Sequence, residues 1–96
     1  MSSSEMYQPQ VKNLTSSTVV FSGKGFLNQI IIDAHSSAVL DIGNGTTSIL
    51  SLKHSSMALA TGERWIPFNG EVYEDGCYIV IAAGTATLSV QYRKNA

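Results

Sequence analysis

Two histidines, one cysteine and seven acidic side chains are the groups of this chain best suited to hold a metal or move a proton near neutral pH. A zinc site needs three or four convergent ligands. His35, His54 and Cys77 stand at no recognised ligand spacing. Asp33 and His35 share one face of an extended stretch, and a serine could complete a triad in outline. No Gly-x-Ser-x-Gly elbow presents such a nucleophile, and a surface Asp–His pair accounts for the two residues. Glu63, Glu71, Glu74 and Asp75 cluster in sequence. Carboxylates held at set separations cleave sugars, but these four flank turns, where acidic residues solvate and shape the backbone. Ser22-Gly23-Lys24-Gly25 has the composition of a phosphate cradle. No helix pattern follows it, so the N-terminal dipole that would hold an anion is missing. The sequence therefore predicts no catalytic residue, no metal site and no cofactor, and the chain is expected not to be an enzyme.

The aromatic residues admit two readings. Trp65 and Phe68 straddle Ile66-Pro67, and large aromatics in that arrangement can plug one end of a core. Alternatively Trp65, the single tryptophan, and Tyr73 form an exposed platform that stacks on sugar rings. That second reading would make the chain a glycan-binding module. Cys77 sits in a strand pattern beside Tyr78 and reads as buried apolar filler.

Strands must position these residues. Short runs rich in Val, Ile, Thr and aromatics are broken by Gly, Asn, Asp and Ser. The pattern predicts strands near Gln10–Leu14, Ser17–Ser22, Gly25–Ala34, Ala38–Ile42, Thr46–Lys53, Arg64–Phe68, Cys77–Ala83 and Thr85–Tyr92. Asn44-Gly45 and Ala83-Gly84 suit tight hairpins, because glycine takes positive φ without steric cost. Ser55–Thr61 offers one short helical turn, with a plain strand as the alternative. The expected fold is a single all-β domain over Val11–Ala96, an antiparallel β-sandwich, jelly-roll-like, of about eight strands. Met1–Gln10, polar and interrupted by Pro9, is expected to be a flexible N-terminal arm.

Composition narrows the function classes. Of 96 residues, 44% are apolar and only 14% charged, against about 25% charged in a typical domain. The formal net charge is −1, and the six basic residues are scattered. Nucleic-acid affinity rests on clustered cations, so nucleic acid is not an expected partner. No run of 18 apolar residues is present, so no membrane-spanning helix is expected. The N-terminus lacks signal-peptide order, and assembly in a cytoplasm is the expectation.

Two strands look unusual. Phe26, Ile30, Ile32 and Ala34 fall on one parity, while Leu27 and Ile31 fall on the other. Either this strand is covered on both sides, with Leu27 and Ile31 at an interface, or one bulge shifts its parity. In the final strand, Ala86, Leu88, Val90 and Tyr92 alternate with Thr85, Thr87, Ser89 and Gln91. The second set is polar but uncharged. Short hydroxyls lose little rotamer entropy on burial, so this set is a candidate interface. The competing reading is a mid-sheet strand with no free edge to protect by charge.

The segment Gly62–Tyr92, GERWIPFNGEVYEDGCYIVIAAGTATLSVQY, resembles a group of small tailed-bacteriophage virion proteins of the capsid decoration or cement type. The shared elements are Pro67-Phe68, Tyr73, Gly76-Cys77-Tyr78-Ile79-Val80, Gly84-Thr85-Ala86 and the alternating strand Leu88–Tyr92. Upstream, Phe21–Ile32, FSGKGFLNQIII, is similar to the same group's opening, where a Gly-rich turn feeds a long apolar strand. Cys77 departs from the aliphatic residue expected there. The matching motifs are structural, with no catalytic residue among them. The resemblance implies a small β-sandwich, often trimeric, that cements a capsid by bridging capsomers or forms another virion part. Its implied partners are a major capsid protein and further copies of itself, and its implied location is the virion. A tail, fibre or baseplate module is the alternative setting.

Overall fold

The computed structural model describes residues 7–46 and 51–95. It is all-β, with one antiparallel sheet of six strands. These are β1 (Tyr7–Leu14), β2 (Thr18–Ser22), β3 (Gly25–Asn44), β4 (Ser51–Ala58), β5 (Trp65–Tyr73) and β6 (Gly76–Asn95). The frame is the pair β3 and β6, each 20 residues long. They run antiparallel along their whole length, from Gly25 opposite Lys94 to Asn44 opposite Cys77.

This long ladder is crimped in the middle. The register shifts between Ser36 and Val39, opposite Thr85 and Ala83. Ser37 and Gly84 both take positive φ there, at 49° and 68°. A Cβ on Gly84 would lie 2.3 Å from the carbonyl oxygens of both Ser36 and Ser37, so only glycine fits. On one side of the crimp, β1 and β5 flank the ladder, giving the order β1-β6-β3-β5. On the other side, β2 and β4 flank it, giving β2-β6-β3-β4.

The two halves fold over a shared core. Phe21 of β2 stacks on Tyr92 with centroids 5.2 Å apart and meets Tyr73 edge-on at 6.2 Å. Such pairs contribute about 0.5–1.5 kcal/mol beyond burial. His54 of β4 reaches Glu71 of β5 at 2.8 Å and lies against Phe68. Leu27, Ile30, Leu40, Ile42, Ile79 and Leu88 are completely buried between the halves.

Several sequence expectations are corrected. Ala83-Gly84 is no hairpin: β6 runs through it, and the glycine makes the crimp. The predicted strands Gly25–Ala34 and Ala38–Ile42 are one strand, as are Cys77–Ala83 and Thr85–Tyr92. Asn44-Gly45 is not a two-residue turn, because Asn44 pairs with Ser51 and the connection spans the residues between them. Part of the predicted strand Thr46–Lys53 lies outside the described residues. The candidate helical turn Ser55–Thr61 is strand through Ala58, since pairing with β3 outweighs a propensity too short to nucleate. Tyr7–Gln10 pair with β6, so order begins inside the span expected to be an arm.

Trp65 is 56% exposed and does not plug the core. Ile66 and Phe68 face inward in its place. The mixed parity of β3 is a bulge: the register with β5 and β6 slips between Leu27 and Gln29. Leu27, Ile30 and Ile32 therefore all point inward.

Gly84→Ala is expected to cost roughly 2–5 kcal/mol, since it combines a left-handed alanine with overpacking against two carbonyls. Gly62→Ala, also at positive φ but with nothing within 4 Å of its added Cβ, should cost only about 1–2 kcal/mol. Urea unfolding midpoints of the two variants check this; equal losses would mean that the crimp tolerates a side chain.

Candidate interaction face

The structure disperses the groups that the sequence offers for chemistry. Glu63 accepts from the Ala60 amide at 2.9 Å, closing the turn into β5. Asp75 accepts from the Asn44 side chain at 2.8 Å. Glu71 accepts from the Tyr73 hydroxyl at 2.7 Å and contacts His54. Burial, then the bond to Glu71, pushes the Tyr73 hydroxyl far above its ordinary pKa. Burial, then the nearby Glu71 charge, pushes the Cys77 thiol up to about 12. That thiol stays protonated at neutral pH and is no nucleophile. The His54–Glu71 contact fastens β4 to β5.

Asp33 and His35 do not form a working pair. The Asp33 carboxylate is engaged by Ser89 at 2.8 Å, while His35 Nδ1 is buried without a partner. His35 borders an open cleft beside the crimp with Arg64 and Glu63. Among the described residues, no group of three or more His, Cys, Asp or Glu side chains could hold a metal.

What the structure does assemble is a flat face on the outer side of the β1-β6-β3-β5 half. Register places its residues in rows that cross all four strands. One row is Pro9, Arg93, Phe26 and Val72. The next is Val11, Gln91, Gln29 and Pro67. The third is Asn13, Ser89, Ile31 and Trp65. Seven of these twelve side chains are apolar, and Arg93 alone is charged. Val11 is 58% exposed and Val72 36%.

The polar members bond to one another. Gln29 donates to Gln91, and the Trp65 indole N–H donates to the Gln29 carbonyl oxygen. Ser89 Oγ lies 2.9 Å from the Asn13 side chain and 2.8 Å from Asp33. A hydroxyl has one proton, so Ser89 shares it between two acceptors, the Asn13 side-chain oxygen and the Asp33 carboxylate. These bonds tie the side chains to one another across neighbouring strands.

Ser89, Gln91 and Ile31 thus stand on one surface with Trp65, which the sequence placed in a separate sugar platform. Thr87 continues the same strand face opposite Ala34. Thr85, opposite Ser36, is at the crimp, and both threonines line a cleft with Thr15. The two readings of the final strand are compatible: β6 lies mid-sheet, with partners on both sides. Leu27 is completely buried in the chain's own core and is no interface residue, because the bulge at Asn28 turns it inward. Tyr73 is likewise completely buried and cannot stack on a sugar. Phe26, Val11, Val72 and Arg93 join the face only through cross-strand register. Compared with protein families, characterised proteins and solved structures, the chain matches none.

Trp65→Ala should change folding stability by no more than about 1 kcal/mol, as expected of a largely exposed side chain. Tyr73→Ala should cost about 3–5 kcal/mol, as for a buried aromatic. Thermal unfolding of the two variants separates them, and comparable losses would place Trp65 in the core after all.

Proposed function

We propose that this chain is a non-enzymatic virion structural protein of a tailed bacteriophage, a capsid decoration protein that acts by burying its β1-β6-β3-β5 face against protein. One observation carries this reading: twelve registered surface residues with a single charge among them. Exposed large apolar residues gathered on one face mark surfaces that meet partners, and Val11, Trp65 and Val72 are exposed on this one. Depletion of charge, with aromatic residues and arginine retained, is the composition of interface cores.

The edges favour approach onto the face. Pro9 lies in β1 and Pro67 in β5, the two outer strands of this half. Proline cannot donate to a new ladder, so strand addition at either edge is obstructed. A partner meets the flat of the sheet.

The finer fold assignment belongs to the same proposal. If β3 and β6 are each divided at the crimp, the six strands become eight segments. The first then pairs with the eighth, the second with the seventh, the third with the sixth and the fourth with the fifth. That is a long two-stranded ribbon rolled over on itself, the plan of a jelly roll. Jelly rolls recur in viral capsid and lectin domains. The resemblance of Gly62–Tyr92 to phage virion proteins points the same way. The half-exposed indole of Trp65 favours a second reading, a glycan-binding module of a tail, fibre or baseplate.

Purified protein added to capsid shells that lack it should bind and raise their disruption temperature. Thr87→Lys with Ser89→Lys should abolish both effects while leaving the melting of the free protein within a few degrees. Absence of binding, or binding unchanged in the double variant, overturns the reading. Glycan binding that is lost in Trp65→Ala would establish the alternative.

A further inference from the structure

The face carries its own complement. Arg93 is in the first row, and Asp33 stands beside the third, bonded to Ser89. Arg93 and Ser89 are four residues apart on β6, about 13 Å at the rise of an extended strand. The row between them, Val11, Gln91, Gln29 and Pro67, is uncharged. Arg93 lies on one side of a neutral middle row, and the Asp33 carboxylate, held by Ser89, on the other; opposite charges on the two sides of a row suit a two-fold axis along it. In such an interface residue i meets j and j meets i.

Resting on the reading of this face as an interface, we infer that in the free protein its occupant is a second copy of the chain. The copies stack face to face, with strands antiparallel and the two-fold axis along the middle row. Arg93 of each copy then lies over the Ser89–Asp33 pair of the other. Phe26 covers the partner's Ile31, and Val72 covers the partner's Trp65. Both ion pairs form at once, and each unites the face's arginine with the carboxylate at its border.

The other face-to-face arrangement, with the axis along the strands, is disfavoured. It would set Arg93 on the partner's Phe26 and leave Asp33 without a cation. The footprint is below that of a standard interface, which suits a dimer that dissociates on dilution. Four strands at about 4.8 Å spacing and about five residues at about 3.3 Å give roughly 320 Å² before side-chain relief. One side of a standard interface buries about 800 Å² of accessible surface. The mutual hydrogen bonds of Gln29, Gln91 and Trp65 satisfy both glutamine carbonyl oxygens and the indole N–H before the middle row is covered.

Sedimentation equilibrium of the full chain and of charge-reversed variants tests the arrangement. The wild type should be a dimer. Arg93→Glu and Asp33→Arg should each weaken dimerisation at least about tenfold through like-charge contacts. The double variant should recover most of the wild-type affinity, because the pairs re-form with signs exchanged. Far-UV circular dichroism confirms that each variant is folded. A three-copy mass, or a wild type that stays monomeric at every concentration, overturns the second copy as occupant; capsid binding then judges the face separately. A dimer that dissociates in Ile31→Glu but ignores both charge reversals keeps the face and overturns this two-fold register.

Discussion

The ladder between β3 and β6 supports everything else in this molecule, because each of the other four strands pairs only with one of these two. A flat ladder of 20-residue strands would expose its apolar face over its whole length. The crimp at Ser36–Ser37 and Gly84 turns that face against itself, so a chain of modest size gains a core between two halves of one sheet. The constraint is local and steric: two carbonyl oxygens approach so closely that position 84 has no room for a side chain. Phe21, Tyr73 and Tyr92 then pack across the fold, and the His54–Glu71–Tyr73 contacts tie β4 to β5.

The outer face follows from the same ladder and one further irregularity. Without the bulge at Asn28, Leu27 would remain on the outer side with Ile31, and Phe26 would turn into the core in its place. The bulge sends Leu27 inward and keeps Gln29 and Ile31 outward, where they align with Gln91 and Ser89 on β6. Hydrogen bonds among Gln29, Gln91 and Trp65 and among Ser89, Asn13 and Asp33 then tie the polar members to one another. The candidate face arises from register.

Much of the fold was legible in the sequence, since burial in strands leaves a period of two and turns require special residues. The strand class, the inward set Ala86, Leu88, Val90 and Tyr92, and the uncharged outward set of the last strand were all written in the alternation. Gly84 was legible as a break but not as a crimp, because positive φ serves a hairpin and a bent strand equally well. The parity shift in β3 was visible, and Asn28, a residue poor at forming strands, interrupted the apolar parity, but the interruption did not say which neighbours the bulge turns inward. The rows were illegible. Val11, Phe26 and Val72 belong together only after four strands have been aligned, and a single chain's periodicity carries no cross-strand register. Trp65 misled for a related reason: burial fits a lone tryptophan beside Pro67 as well as exposure does, until Ile66 and Phe68 are seen to fill the inward positions.

Oxidative footprinting tests most directly the claim that this face is a packing surface. The label is read residue by residue in dilute protein and in the assembled form, whether self-associated or bound to capsid. Trp65 and Phe26 should be oxidised in the dilute sample and several-fold protected on assembly, with the buried Tyr73 unlabelled in both. Equal labelling of Trp65 and Phe26 in the two samples would contradict the account, because the face would then remain open to water while the protein does its work.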